Sequence, residues 1–590
     1  MCRIVGVVNI NNQNVEHLLP TVKTMCHSLT HGGPDDHGIF SRKNIVLGHR
    51  RLSIIDLSKD GSQPLLDKDI VIVFNGEIYN FRELKIELID LGHTFKSHCD
   101  TEVIIKAYRE WGEKSFGRLN GMFACAIYDI KKNALYLVRD HSGIKPLYFA
   151  AVDNNIVFAS EVRAFYHYDS KWKKNPYWQT LFLAFGHIPE PHTILDGVNM
   201  VAKGSYYKFD ISQKIKEQCK YNTFCFKELI VEEHIAKSVV RKSFEKAVKR
   251  HLIADAPLGV FLSGGVDSSL VALITKKYKS DLHTISIAFD EKDFSEESYQ
   301  KIIIQKTGSK HHSFTVRSQD FLENIPSLFS AMDQPTIDGV NTYFVSKYAR
   351  QQGFKAVLSG LGGDELFAGY NTFNRGEKLL SMPWLPNFLF SSYLPGKFKR
   401  LSFLKLNNPY RYYLTLRGIF CPDEIAIILG KPQQAIWEHL QTINLNVPQS
   451  SPRDYISFLE TNLYMQNQLL KDSDIMGMSQ ALEIRVPFLD KEFLHNIYQI
   501  HHHLRLSKIS PKYLLTESFR DVLPQEIVNR PKQGFVIPFS SWLKKYYTEI
   551  YKQKTQGMNQ KFCHTLWKKF EKNQVHWSKI WAMLVFAEYS

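Results

Sequence analysis

A glycine-rich segment at residues 258–274, LGVFLSGGVDSSLVALI, places groups able to bind an anion inside an otherwise apolar run. A loop that follows a buried strand and opens a helix presents free backbone N–H groups, and the helix dipole favours negative charge there. Glycine lets the backbone approach a ligand closely, and serine adds hydroxyl donors. The residues that supply these groups are Ser263, Gly264, Gly265, Ser268 and Ser269. Asp267 would repel a bare phosphate, so it implies a Mg²⁺ ion between its carboxylate and the phosphate.

A second segment at residues 358–370, LSGLGGDELFAGY, repeats this arrangement and places Asp364 at the start of a helix. Taken alone, either segment could be an ordinary strand-to-helix turn with Asp or Ser as a capping residue. Two acidic glycine loops on one parallel sheet, however, could hold one Mg²⁺–nucleotide between them. The first loop lacks the lysine of the common P-loop pattern, so it is not the usual loop for a γ-phosphate.

Cys2 offers a nucleophile of a different kind. Removal of the initiator methionine would leave its thiol beside a free α-amine, whose pKa of about 7.7–8.0 suits a general base. A cysteine at the second position carries little weight alone, since it could be a chance residue. Its interpretation depends on the rest of the N-terminal part.

The elements that must position these residues differ along the chain. Residues 1–210 contain short segments rich in Val, Ile, Phe and Tyr, with helical patterns at 81–92 and 102–111. This pattern predicts stacked antiparallel sheets, including a hairpin at 150–158. Residues 211–235 lose the alternation and become lysine-rich, which predicts a linker. From residue 236 the order of strand, glycine-rich loop and helix predicts a parallel sheet flanked by helices, and residues 400–590 are mostly helical in pattern.

Length and composition limit the class of protein. A chain of 590 residues predicts two to four domains. The net charge is +15, but the basic residues are scattered, and no motif supports nucleic-acid binding. The eight cysteines lack disulfide-like spacing, no apolar run could span a membrane, and no secretion signal is evident, so a cytoplasmic location is expected. The histidines at 501–503 are not expected to bind zinc, since neighbouring residues on a helix point in different directions.

Longer motifs in the C-terminal part resemble a known family. The loop SGGVDSS resembles the pyrophosphate loop of ATP pyrophosphatases, which split ATP into AMP and pyrophosphate to adenylate a substrate. Together with SGLGGDELFAGY and ALEIRVPFLD, it is similar to the synthetase domain of glutamine-dependent asparagine synthetases. The resemblance implies an α/β domain of the adenine nucleotide α-hydrolase type with a helical C-terminal extension.

Four motifs in the N-terminal part match the same family. GHRRLSIID, FNGEIYN, CDTEVI and RDHSGIKPLYF resemble, in order and spacing, class II glutamine amidotransferase domains, which are α+β N-terminal-nucleophile hydrolases. The resemblance covers nearly the whole chain and implies a glutaminase domain at 2–210 and an asparagine synthetase domain at 236–590. It further implies glutamine and ATP as substrates, a carboxylate acceptor, Mg²⁺ as cofactor and a possible homodimer.

The family's glutaminase residues map onto this sequence one by one. Cys2 would attack the side-chain amide of glutamine, while the Asn75 side chain and the Gly76 N–H would form the oxyanion hole. The charged groups of glutamine would be bound by Arg51 at the carboxylate and by Glu77 and Asp100 at the ammonium group. Each of these residues could also be a surface partner or a turn residue, but their arrival in family order argues against that.

The synthetase residues map in the same way. Asp267 and Asp364 would share Mg²⁺, and Lys532 in NRPKQGF would meet the charge that develops on pyrophosphate. The residues implied at ATP are Leu262, Ser263, Gly264, Gly265, Asp267, Ser268, Ser269, Ile287, Ser359 and Gly360, with Leu262 and Ile287 at the adenosine. The reaction implied converts glutamine, ATP and a carboxylic acid to glutamate, AMP, pyrophosphate and an amide, with ammonia carried through an internal tunnel.

Three positions depart from the family pattern. Leu361 stands where well-studied asparagine synthetases have an acidic residue credited with forming the acyl-adenylate, so Glu483 or Asp333 would replace it or the acceptor differs. Gln334 and Gly32 stand where many relatives have Glu and Arg. Aspartate is the favoured acceptor, and a sugar (uronic) acid of cell-envelope or exopolysaccharide biosynthesis is the alternative.

Overall fold

The computed structural model describes residues 2–213, 215–224, 226–381, 396–443, 445–448, 450–531, 537–546 and 548–590. Within these ranges it contains two antiparallel sheets in the N-terminal part and one parallel sheet in the C-terminal part. None of the helices in these ranges is long and apolar enough to cross a membrane.

The N-terminal part is built from two six-stranded sheets. Its strands are β1 (Arg3–Asn9), β2 (Asp36–Arg42), β3 (Ile45–Arg51), β4 (Leu65–Asp67), β5 (Ile70–Ile78), β6 (Gly121–Asp129), β7 (Ala134–Arg139), β8 (Tyr148–Val152), β9 (Asn155–Ala159), β10 (Asn199–Met200), β11 (Ser205–Asp210) and β12 (Ile215–Lys220). Its helices are α1 (Leu19–His27), α2 (Phe81–Asp90), α3 (Asp100–Trp111), α4 (Phe165–Tyr168) and α5 (Trp178–Phe185). The sheets have the orders β10-β8-β9-β1-β3-β2 and β12-β11-β7-β6-β5-β4. The predicted antiparallel sheets and the β8–β9 hairpin are confirmed.

The two sheets stack because their strands carry apolar side chains on both faces. In β5, Val71 and Val73 lie with Leu47 in the apolar cluster between the sheets. On the opposite face of the strand, Ile72 packs in a second cluster with Ile104 of α3. Because side chains alternate along a strand, β5 is buried along its whole length. The polar residues at its carboxyl end are therefore held by a rigid layered core.

Part of the predicted linker forms a strand instead. β12 pairs with β11 and is the edge strand of the second sheet. Half of the residues in its sequence, IKEQCK, are charged, and most are exposed; edge strands use such charges to discourage pairing with other chains. The interpretation of all of 211–235 as a linker was wrong, since the sheet continues to Lys220 and the next helix begins at Glu233.

The C-terminal part contains a five-stranded parallel sheet, as predicted. Its strands are β13 (Leu258–Phe261), β14 (His283–Phe289), β15 (Lys310–Val316), β16 (Ala356–Leu358) and β17 (Glu483–Arg485). Their order in the sheet is β15-β14-β13-β16-β17, and the pairs are parallel. β17 lies within the stretch that was expected to be mostly helical. It was not predicted because three residues are too few to show a strand pattern.

Helices surround this sheet and form the C-terminal extension. They are α6 (Glu233–His251), α7 (Val266–Tyr278), α8 (Glu297–Thr307), α9 (Ser318–Ala331), α10 (Val340–Gln351), α11 (Gly363–Leu366), α12 (Asn371–Leu380), α13 (Tyr410–Arg417), α14 (Pro422–Leu429), α15 (Gln433–Gln441), α16 (Pro452–Leu459), α17 (Lys471–Met478), α18 (Lys491–Ile497), α19 (His502–Arg505), α20 (Tyr513–Ser518), α21 (Gln525–Val528), α22 (Phe539–Tyr546), α23 (Thr548–Lys554), α24 (Gln560–Glu571) and α25 (Trp577–Tyr589). A π-helical segment, Glu460–Leu470, joins α16 to α17.

The two parts of the chain share apolar packing. Trp178 of α5 lies against Phe586 of α25, with ring centres 5.6 Å apart. Phe185, at the end of α5, stacks on Tyr413 of α13 at 5.8 Å. One continuous apolar cluster includes residues of β1, α5, β14 and α25. The two parts therefore pack as one body through a common core.

Candidate functional site

Cys2 lies immediately before β1 and beside β5. It is 8% exposed, and its backbone N–H donates to Asn75 Oδ1 at 3.2 Å. Burial raises the pKa of the Cys2 thiol; the positive charge of Arg51 opposes this rise and the negative charge of Glu77 adds to it. These electrostatic effects show that both charged side chains lie near the sulfur.

Asn75 presents a buried hydrogen-bond donor next to Cys2. Within the described ranges, its Nδ2 atom has no hydrogen-bond partner. An unsatisfied buried donor is costly, so such atoms are expected to serve a ligand. Gly76 follows with a φ of +152°, and a Cβ there would lie 2.1 Å from the carbonyl oxygen of Met122. The close approach of β6 thus requires glycine beside the Asn75 donor.

Glu77 and Asp100 form a buried acidic pair near this donor. Asp100 is the first residue of α3, and its Oδ2 atom accepts a hydrogen bond from the Ile78 N–H at 2.9 Å. Burial raises the pKa of Asp100 to about 6. Burial, together with the negative charge of Glu483, also raises the pKa of Glu77. Arg485 supplies the counter-charge, with Nη2 at 3.5 Å from Glu77 Oε1.

Arg51 is the last residue of β3. Its Nη1 donates to the carbonyl oxygen of Ser58 at 2.7 Å, and its Nη2 donates to that of Asp56. These contacts fix the orientation of the guanidinium group. The predicted glutaminase residues that the structure groups around the thiol are Cys2, Arg51, Asn75, Gly76, Glu77 and Asp100.

A cavity of about 990 Å³ lies at the carboxyl ends of β13 and β16, where parallel sheets commonly bind ligands. Its wall contains most of the residues predicted for ATP and the acceptor: Leu262, Ser263, Gly265, Asp267, Ser268, Ser359, Gly360, Leu361 and Asp364. Within the first loop, the Ser263 N–H donates to Ser268 Oγ at 3.2 Å, and the two hydroxyls are 3.0 Å apart. The loop is therefore braced across its own turn.

Lys512 joins the two acidic loops, and sequence reasoning missed it. Its Nζ lies 2.5 Å from Asp267 Oδ2 and 2.7 Å from Asp364 Oδ1. Burial opposes its charge, but the two carboxylates raise the pKa of Lys512 overall. A Cβ at Gly363 would lie 2.4 Å from Asp267 Oδ1, so only glycine allows the loops to meet. Lys532, the lysine expected at pyrophosphate, lies outside the described residues.

Three residues predicted for ATP are not among the described residues that line the cavity. Ile285 and Ser286 line it in place of Ile287, because β13 ends opposite Ile285 while β14 continues and buries Ile287 in the apolar core. Neither Gly264 nor Ser269 is among the described lining residues. Ser269 is fully buried in α7, and Gly264 has the left-handed φ of +71° that the turn requires.

Neither candidate for replacing an acidic residue at Leu361 reaches the nucleotide loops. Glu483 is buried on β17, and its Oε1 accepts from Arg485 Nε at 2.5 Å. Asp333 accepts hydrogen bonds from the backbone N–H groups of Val162 and the next residue, each at 2.8 Å. Among the described residues, neither carboxylate lines the cavity. The expectation that one of them acts at the acyl-adenylate was therefore wrong, because both carboxylates are held by partners elsewhere.

Three arginines in the cavity wall also escaped prediction. Arg417 lies over the ring of Tyr464 at 3.7 Å and donates from Nη2 to Glu460 Oε2 at 2.7 Å. Arg375 and Arg400 line the same region. They lie on separate elements of a stretch with few motifs, so nothing in the sequence indicated that they meet.

The consecutive histidines are arranged differently from the expectation. His501 precedes α19, so ligand atoms of His501, His502 and His503 lie within 4.8 Å of one another. The argument that they must diverge along a helix was wrong. His502 Nδ1 lies 2.5 Å from Glu228 Oε1, and this ion pair accounts for the position of His502. That the histidines do not bind zinc stays a prediction.

Comparisons with known proteins find matches for both parts of the chain. Residues 1–222 match the family described as glutamine amidotransferase domain, and residues 239–590 match asparagine synthase. Glutamine-hydrolysing asparagine synthetase 1 of Bacillus subtilis is 32% identical over 569 residues, covering 93% of this chain and 89% of that protein. Asparagine synthetase B of Escherichia coli is 32% identical over 397 residues, covering 64% and 66%. The chain belongs to the glutamine-hydrolysing asparagine synthetase family.

Proposed function

We propose that the protein transfers the amide nitrogen of glutamine to a carboxylate that ATP has activated as an acyl-adenylate. Aspartate is the proposed acceptor, and the products are asparagine, glutamate, AMP and pyrophosphate. The observation that carries the proposal is the buried Asn75 Nδ2 donor beside Cys2, unpaired among the residues that the structure describes, in the same molecule as the convergent carboxylates of Asp267 and Asp364. One group of residues suits amide hydrolysis and the other suits nucleotide chemistry.

The N-terminal group supplies what hydrolysis of an amide requires. Once the initiator methionine is removed, the nitrogen that Asn75 Oδ1 holds at 3.2 Å becomes the α-amine that accepts the thiol proton. The thiolate attacks the amide carbon, and the oxygen gains negative charge that Asn75 Nδ2 and the Gly76 N–H stabilise. The C–N bond then breaks as the amine returns its proton to the leaving ammonia, and water hydrolyses the remaining thioester to glutamate and the free thiol. Arg51 binds the carboxylate of glutamine, and Asp100 binds its ammonium group.

One apolar cluster contains residues of both parts. It includes Leu52, whose backbone contacts the Cys2 thiol, and Met122 and Ile144 of the N-terminal part. The same cluster includes Leu262, which lines the nucleotide cavity. Apolar surroundings disfavour the ammonium ion and keep ammonia neutral, which is the nucleophilic form. This packing supports transfer of nitrogen inside the protein.

The C-terminal group is suited to Mg²⁺–ATP. Two carboxylates that converge on the ammonium of Lys512 form a site for positive charge, and oxygen ligands of this kind suit Mg²⁺. Asp267 and Asp364 would hold the ion, which neutralises charge on the phosphates when bound. Ser263 and Ser268 offer hydroxyls to the phosphates, and Lys532 is proposed to meet the charge on pyrophosphate.

Two variants test the division of work. Cys2→Ala is expected to abolish glutamate formation and glutamine-dependent synthesis while synthesis from added ammonium continues. Asp267→Ala is expected to abolish pyrophosphate release with either nitrogen source while glutamine hydrolysis continues. Glutamate and pyrophosphate are measured in parallel on the purified protein. Loss of both nitrogen sources in Cys2→Ala, with the protein still folded, would refute the proposal.

A second acceptor class is favoured by the cavity itself. Its volume of about 990 Å³ is at the upper end of ligand pockets, which span roughly 300–1,000 Å³. Leu361 replaces an acidic group in its wall, and Arg375 and Arg400 add positive charge. A sugar (uronic) acid would use both the space and the charge. Pyrophosphate release is therefore measured with aspartate first and uronic acids next; a response to uronic acids alone would select this alternative.

A further inference from the structure

Arg3, which directly follows the nucleophile in sequence, lies at the junction of the two parts of the chain. Its side chain is fully buried at the start of β1. The Nε atom lies 2.6 Å from Glu161 Oε1, and Nη1 lies 2.9 Å from Asp474 Oδ2. One guanidinium group thus pairs with an anion from each part. A buried ion with two fixed partners tolerates little displacement.

Asp474 connects this junction to the nucleotide cavity. It lies in α17, and its two immediate predecessors, Asp472 and Ser473, line the cavity wall. Its second carboxylate oxygen, Oδ1, accepts from Lys145 Nζ of the N-terminal part at 2.9 Å. Both cations that hold Asp474 therefore come from the part that carries Cys2. A short chain of contacts leads from the nucleophile to the cavity.

The side chain of Arg3 occupies the space into which a side chain at position 32 would extend. A Cβ on Gly32 would lie 2.8 Å from Arg3 Cγ and 2.9 Å from Arg3 Nε. The φ of Gly32 is outside the left-handed region, so its backbone conformation does not demand glycine. An arginine at position 32 and one at position 3 would compete for the same volume. Position 32 is therefore a second place from which a guanidinium group could enter the junction.

We propose that Arg3 is a positioning residue that ties the Cys2 strand to α17 and thereby sets how much of the liberated nitrogen reaches the nucleotide cavity. The inference rests on the proposed glutaminase and synthetase activities. Loss of the guanidinium would remove the ion pairs that join Glu161 and Asp474 across the two parts and leave unfilled volume between them. Glutamine would still be hydrolysed, but more of the ammonia would escape to water.

The test uses the full-length protein and the ratio of glutamate formed to pyrophosphate formed with glutamine as nitrogen source. Arg3→Gly is expected to raise this ratio about fivefold or more while ammonium-dependent pyrophosphate release stays within about twofold of the unchanged protein. The double variant Arg3→Gly/Gly32→Arg returns a guanidinium to the junction and is expected to bring the ratio back to within about twofold. Such rescue would not follow from a merely structural role of residue 3.

Arg163→Ala is the matched control. Arg163 Nε pairs with the same Glu161 at 2.8 Å and also reaches the C-terminal part, but at Asp333 Oδ1, 3.5 Å away, instead of at α17. It should lower the melting temperature without changing the ratio. An unchanged ratio in Arg3→Gly, or an equal rise in Arg163→Ala, would overturn the inference.

Arg3→Lys decides the question if Arg3→Gly does not fold. Lysine keeps the charge but has one terminal nitrogen, so it is expected to hold one anion, with a raised ratio. A ratio equal to that of the unchanged protein would overturn the inference. The proposed function fails separately, if Cys2→Ala still forms glutamate or if the unchanged protein releases no pyrophosphate with any acceptor.

Discussion

Replacement of Asn75 by alanine tests the oxyanion hole most directly. The Asn75 Nδ2 atom is a buried donor without a hydrogen-bond partner among the described residues, so its removal breaks no hydrogen bond within that part of the chain. Loss of one oxyanion donor costs about 2.7–4 kcal/mol in the transition state. Alanine also removes the acceptor of the Cys2 N–H, which contributes about 0.5–1.5 kcal/mol. Together these terms predict a fall in kcat/KM for glutamine hydrolysis of between about 10² and 10⁴.

The assay measures glutamate release over a range of glutamine concentrations and, in parallel, pyrophosphate release with ammonium as nitrogen source. The second activity should be unchanged, because Asn75 is not among the residues that line the nucleotide cavity within the described chain. Asn44→Ala is the matched control: Asn44 is also buried, and its Nδ2 donates to Tyr128 Oη at 2.9 Å. It should lower stability but spare glutaminase activity. A kcat/KM within about threefold of the unchanged protein in Asn75→Ala would refute the assignment of the oxyanion hole.

Two further outcomes follow from the charges. Burial raises the pKa of Asp100 to about 6, so its carboxylate is neutralised as the pH falls through that value. Below it, KM for glutamine should rise by up to about tenfold per pH unit with little change in kcat. Asp100→Asn should raise KM at pH above 6 and remove this dependence on pH, and a KM that does not vary with pH in the unchanged protein would contradict the assignment. Lys512→Met removes the ammonium group that Asp267 and Asp364 share, so Mg²⁺ should raise the melting temperature more in this variant than in the unchanged protein. Lys508→Met, which removes an exposed pair with Glu377, is the control, and an equal effect of Mg²⁺ in all three proteins would count against the metal site.

The sequence indicated those features that depend on local pattern. The apolar run before Ser263 and the helix after Asp267 are adjacent in the chain, so the anion-binding loop could be predicted without knowing the fold. The partners of such loops are different, because they come from distant parts of the chain. Lys512 is 245 positions from Asp267, and no local pattern connects them.

The errors have equally physical causes. Ile287 was placed at the adenosine although β14 continues beyond the end of β13. This extension depends on the pairing of β14 with β15, which the sequence of one strand does not reveal. β12 was read as a linker because an edge strand carries charges where an inner strand carries apolar residues. Gly32 looked like a simple departure from the family pattern until the position of Arg3 explained it.

The shared core bears on what would happen if the backbone were cut. Trp178 and Phe185 fill space against Phe586 and Tyr413, so neither fragment could separate without exposing large aromatic rings to water. A protease that nicked the connection between Lys220 and Glu233 should leave two pieces that migrate together in gel filtration and melt in a single transition. Either piece produced alone should aggregate, so neither of the two proposed activities should be obtained without the other piece.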